Sequence, residues 1–170
     1  MRHLARVHDG LVVALAGLAG IMLVAIFAAI VYDVTVRTVG WQPPYWVSAL
    51  TEYALLFVTM LAAPWLVRTR GHVFVESLMM VLPGAVRAVL EKTVYLLCAT
   101  ICLVLCYYAV TMGLDAHMRG EFDVRSIDMP RWILFAALAV GFVLCAVEFL
   151  RYLAGVGDMY AGRGADHEGI

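Results

Sequence analysis

Charge is what this 170-residue chain has least of. Asp, Glu, Lys and Arg make up 15% of it, and hydrophobic residues 64%. Soluble domains sit nearer a quarter charged and half apolar. No charge at all occurs in residues 11–32 or 93–114. Residues 45–67 carry only Glu52, and residues 132–147 carry none. The fourth run reaches residue 150 if Glu148 sits at the membrane edge. Other absences narrow the field further. The formal net charge of −1 offers nothing to a nucleic acid. The length allows one domain and no appended soluble enzyme. There is no Walker loop, no pair of intramembrane acids, no facing histidines for haem and no nucleophile–base constellation. No metal or cofactor set is expected. The four cysteines, at positions 98, 102, 106 and 145, all fall inside apolar runs. An extracytoplasmic disulfide framework is therefore excluded.

What is present is four stretches of membrane-spanning length. A helix of about 20 apolar residues is roughly 30 Å long, the thickness of the hydrocarbon core. Backbone amides find no water there, so each stretch should be a helix with its hydrogen bonds closed internally. The expected fold is an all-α membrane protein with four transmembrane helices. Residues 1–154 form that domain, and residues 155–170, rich in glycine, form a flexible tail. Residues 11–32 are too long for the 7–15-residue apolar core of a signal peptide and read as a retained span.

Eight of the twelve basic residues lie in the amino-terminal segment, the second connection and the tail. Those three share one side of a four-span chain. The positive-inside rule then puts both termini in the cytoplasm.

The second connection, residues 68–92, is too long for a turn. It opens with Arg68, Arg70 and His72. A ten-residue apolar stretch follows at 73–82, too short to span, and then Pro83-Gly84 and Arg87. This is the composition of an amphipathic helix lying in the interface, between the second and third spans, with its bases toward lipid headgroups.

Glu52 is the most costly residue in the chain. It lies about 9 Å of helix inside Trp46. Transfer scales put an acid near 2.5–3.5 kcal/mol at mid-membrane, roughly the figure for Asp. One reading is a proton or ion ligand. The other, preferred here because no second acid lies deep in another span, is a structural carboxylate. Its partner would be a neighbouring helix or Arg37, which can itself pair with Asp33 four residues earlier.

Small residues at four-residue spacing, Ala16 with Gly20 and Ala137 with Gly141, mark helix-packing seams. Cys98, Cys102 and Cys106 share one helix face. They fit a thiol or soft-metal face, but no other ligand pairs with them, and small apolar packing is expected. The third connection mixes Asp115, Arg119, Glu121, Asp123, Arg125 and Asp128 with His117. Asp128-Met129-Pro130 offers a capping acid and an early proline for the fourth span.

Taken together, these elements resemble the DctQ-like small membrane subunit of tripartite ATP-independent periplasmic (TRAP) transporters. Arg37 and Gly40 end the first span, and Trp46 leads to Glu52-Tyr53. His72-Val73-Phe74-Val75 follows, then Leu82-Pro83 and Arg87. A polar loop from Ser126 to Pro130 precedes the fourth span, and Glu148 lies near its end. Order and spacing carry the likeness over nearly the whole chain. Glu76 stands where an aspartate is expected nearby. The resemblance implies a scaffold subunit of the bacterial inner membrane with two partners. One is a large membrane subunit carrying the sodium and solute sites. The other is a periplasmic binding protein that delivers a carboxylate-bearing solute. The charged third connection would help dock it. Two other readings are a membrane thiol or redox protein using Cys98, Cys102 and Cys106, and a small oligomeric channel around Glu52.

Overall fold

The computed structural model describes residues 2–69 and 84–155. Among the described residues four helices carry the fold: α1 (Arg2–Thr38), α2 (Trp46–Arg68), α3 (Gly84–Met118) and α4 (Arg131–Leu153). A short antiparallel hairpin, β1 (Phe122–Val124) and β2 (Asp128–Pro130), joins α3 to α4. All four helices are long and apolar enough to cross a membrane. The interfacial stretch at 73–82, together with Arg70 and His72, lies outside the described residues, as does the tail from residue 156.

The helices overrun the apolar stretches that define them. At 1.5 Å per residue, α1 is about 56 Å long and α3 about 52 Å, well beyond the hydrocarbon core. Helix α1 continues through Asp33 and Arg37 to Thr38. It stops at Gly40, whose φ of +83° only glycine adopts without penalty. The Trp41 amide donates to the Val36 carbonyl at 3.1 Å and the Gly40 amide to Arg37 at 3.1 Å. These are the two bonds of a Schellman cap. Helix α3 ends the same way at Gly120, with Glu121 donating to Ala116 at 3.0 Å and Gly120 to His117 at 3.2 Å. At its other end the described part of α3 begins at Gly84, so Arg87 falls in its first turns.

The start of α4 differs from the sequence expectation. Asp128 and Pro130 belong to β2, and no side chain caps the helix. The Pro130 ψ of 120° is extended, so the proline closes a strand rather than opening a helix. Asp128, two residues before it, is committed to pairing with Val124.

The helices alternate in direction. Helix α1 packs on α2, α2 on α4, and α4 most extensively on α3. On α1 the buried residues Val12, Ala19 and Ile26 recur every seven positions, as a left-handed helix pair requires. Gly20 is off that seam, and a Cβ there would meet nothing within 4 Å among the described residues, whereas Ala16 is half-buried. Gly141 is the opposite case. A Cβ there would lie 2.9 Å from Met60 Cβ and 3.1 Å from the Met60 carbonyl oxygen. That carbonyl has no intrahelical donor, because Pro64 occupies the position four residues on. The glycine and the proline together let α2 and α4 touch backbone to backbone.

Below this contact Val67, Tyr95, Ala99, Cys145 and Phe149 form a buried core, with Cys98 and Cys102 packed against it. Cys106 Sγ donates to the Ala139 carbonyl at 3.7 Å. The cysteine face of α3 is thus the face it turns toward α4.

Candidate functional sites at the two charged ends

Charged side chains gather at the two ends of the bundle. One end joins the start of α1 to the ends of α2 and α4, and its partners are far apart in sequence. Glu148, 2% exposed, accepts from His8 Nε2 at 2.8 Å. Arg151 Nη1 reaches Glu148 at 3.4 Å and Asp9 Oδ1 at 2.9 Å. Arg68 Nη2 binds the same Asp9 oxygen at 2.9 Å. Two carboxylates therefore face two guanidiniums, with the histidine as a further donor. A buried charge is tolerated only when it is paired and hydrogen-bonded, and each oxygen in use here has such a partner. The Tyr152 hydroxyl extends the network to the Arg68 carbonyl at 3.1 Å, and its ring stacks on Tyr95 at 5.7 Å.

Sequence reasoning missed this network. Arg68 was assigned to the interfacial segment and Glu148 to the membrane edge, with no link between them. A signal was available. Once the four spans are laid antiparallel, Asp9, Arg68, Glu148 and Arg151 fall at one depth with alternating sign.

The other end is built around the hairpin. Glu52 pairs with Arg125, not with Arg37. Arg37 Nε is instead held by Asp33 at 2.8 Å, its neighbour one turn back on α1. An i,i+4 partner on the same rigid helix needs no chain closure, which is why it captures the arginine. Arg125 also reaches Asp123 at 3.2 Å. Tyr53, next to Glu52, points its hydroxyl at Asp123 Oδ2, 3.0 Å away. Arg131 pairs with Glu121 at 2.8 Å, and Arg119 with Asp115 at 2.9 Å. Of the charged residues singled out in this connection, five are thus engaged in ion pairs, and Asp128 lies in β2 opposite Val124. His117 meets the edge of Trp132 at 5.5 Å.

Between the ends the surface is apolar. Two grooves, of about 280 and 400 Å³, flank the Ala136–Val140 stripe of α4. Among the described residues no group of three or more His, Cys, Asp or Glu could hold a metal ion.

Comparison with known proteins gives this arrangement a setting. The family model described as "Tripartite ATP-independent periplasmic transporters, DctQ component" matches residues 26–156. The sialic acid TRAP transporter permease protein SiaT of Haemophilus influenzae (strain 86-028NP) is 27% identical over 136 residues. That alignment covers 79% of this chain and 21% of the relative, so the chain spans about a fifth of that protein's length.

Proposed function

The chain belongs to the DctQ component family of tripartite ATP-independent periplasmic transporters, and from that premise we propose that it is the scaffold subunit of a sodium-coupled, binding-protein-dependent transporter. Its family is a transporter component and not an enzyme family, and four apolar helices make it a multi-pass membrane protein. In this reading it sits in the bacterial inner membrane with both termini in the cytoplasm. It supports a large membrane subunit that holds the sodium and solute sites. A periplasmic binding protein delivers a carboxylate-bearing solute to the assembly, and the hairpin end contributes to its docking.

The family match over residues 26–156 carries the reading. The placement of charge supports it. The charged clusters described above tie elements of the chain to one another at the ends of the bundle. A carrier that moves a polar solute alone commonly places polar groups and broken helices at mid-membrane. Glu52 in this reading is a structural carboxylate whose partner is Arg125.

The test is reconstitution. Purified alone in sodium-loaded or sodium-free vesicles, the chain is expected to give no sodium-driven uptake of organic or sugar acids. Uptake should appear when a large membrane subunit and a binding protein are added. Robust uptake by this chain alone would overturn the scaffold assignment.

A further inference from the structure

The hairpin between α3 and α4 is too short to stand by itself. It has three cross-strand pairs: Phe122 with Pro130, Asp123 with Met129, and Val124 with Asp128. An isolated two-stranded hairpin is marginal in water even when longer. Its base is held by Arg131, whose amide donates to the Glu121 carbonyl at 3.1 Å and whose side chain binds the Glu121 carboxylate at 2.8 Å. Something else must hold its tip.

We propose that Glu52 and Tyr53 form a latch that fixes the hairpin tip to the first turns of α2 and thereby sets which face the hairpin displays. Two consecutive residues of α2 meet two residues of the hairpin, Asp123 on β1 and Arg125 in the turn. Tyr53 donates to Asp123, Asp123 pairs with Arg125, and Arg125 pairs with Glu52. The four groups close a ring. The Tyr53 hydroxyl also lies 3.5 Å from the Asp123 and Ile127 carbonyls, on either side of the turn. Tyr53 is 7% exposed, so with the hairpin in place its hydroxyl has little water to compete for the bond to Asp123. Glu52 and Arg125 are about half exposed and on their own would be a weak pair. Shared through Asp123, the two contacts support each other.

Strand alternation gives the latch its consequence. Successive side chains point to opposite faces. With Asp123 turned toward α2, Phe122 and Val124 are turned away, 55% and 79% exposed. A slip of one residue would exchange the two sets. The latch therefore presents a pair of apolar side chains outward at the end of an otherwise charged connection. The use of that face in docking rests on the function proposed above, but the latch itself does not.

Hydrogen exchange of the full chain in lipid nanodiscs, read by mass spectrometry over peptides covering residues 121–131, tests it. Tyr53→Phe and Arg125→Gln should each raise exchange in the hairpin by about tenfold, the factor that goes with losing one partly shielded hydrogen bond. Exchange in the α3 and α4 peptides should stay unchanged, which separates a freed hairpin from a misfolded chain. The double variant Tyr53→Phe with Arg125→Gln should raise exchange by less than the product of the two single effects, because both changes open the same ring. Unchanged hairpin exchange in Tyr53→Phe and Arg125→Gln, or fully multiplicative effects in the double variant, would overturn the latch. Uptake by the assembled transporter is measured alongside. A higher half-saturating concentration of binding protein with unaltered maximal rate is the result expected if the displayed face docks. A freed hairpin with unaltered uptake would leave the latch standing and sink the docking role.

Discussion

The two ends of the bundle solve one problem by different means. At the end carrying His8, three helices contribute charges to a network around a carboxylate that is 2% exposed. At the hairpin end, one helix meets a connecting segment, and the ion pairs are half open to solvent. The difference lies in what each cluster can be worth. A pair in water gains little, because solvent competes for both partners. A buried pair gains little net of desolvation either, but breaking it strands a charge, and that is costly. The first end should behave as an all-or-none structural joint, and the second as an adjustable attachment.

Removing Arg151 is the change with the largest expected effect. Its guanidinium serves both Asp9 and Glu148. Arg151→Gln should destabilise the chain by about 3 kcal/mol, the lower end of the range for opening a buried pair. Thermal unfolding in a single detergent would measure it. The comparison sharpens if Arg151 and Glu148 are both replaced by Met. Loss of both charges should cost less than loss of the arginine alone, because no buried carboxylate is left with His8 as its remaining partner. A double variant worse than the single one would mean that the network acts through packing.

The contact midway between the ends supplies a control without charge. Gly141→Ala places a methyl within 2.9 Å of Met60 Cβ and 3.1 Å of a backbone oxygen that cannot retreat like a side-chain tip. Overpacking of this kind costs about 1–3 kcal/mol. Gly20→Ala meets open space and should leave the unfolding midpoint where it is. If both alanines behave alike in the isolated chain, the backbone contact between α2 and α4 is looser than its geometry implies.

These two glycines also show where sequence reading reached its limit. Both sit in small-residue pairs of equal merit, and spacing alone cannot say which face of a helix finds a neighbour. The four spans were legible because hydropathy is local: twenty consecutive residues decide it. The Asp33–Arg37 pair and the Gly40 stop were legible for the same reason, being fixed within one or two turns of helix. The partner of Glu52 was not, because it depends on how a connection 73 residues away folds back. Nor was the His8–Glu148 contact, across 140 residues. The hairpin was masked by chemistry. An acid and a proline ahead of an apolar run signal a helix start, and here they serve a strand.

The smallest structural effect, and the sharpest contrast with Arg151, is expected at Arg119. Among the described residues it pairs only with Asp115, one turn back on α3, and both side chains are largely exposed, at 64% and 47%. Such i,i+4 pairs stabilise a helix by a few tenths of a kcal/mol, about 0.2–0.5. Arg119→Glu should therefore leave the unfolding temperature nearly unchanged. Its effect should appear in association. Reversing one exposed charge alters the field a soluble partner meets on approach, and steering of that kind changes encounter rates more than final affinity. If the hairpin end helps dock a binding protein, uptake by the assembled transporter at limiting binding protein should slow at low ionic strength. The difference should fade toward 1 M salt, where the Debye length is about 3 Å. A rate that is the same at every salt concentration would mean that these charges only keep the connection in water. Docking would then rest on another surface, and the contrast between the two ends would be one of stability alone.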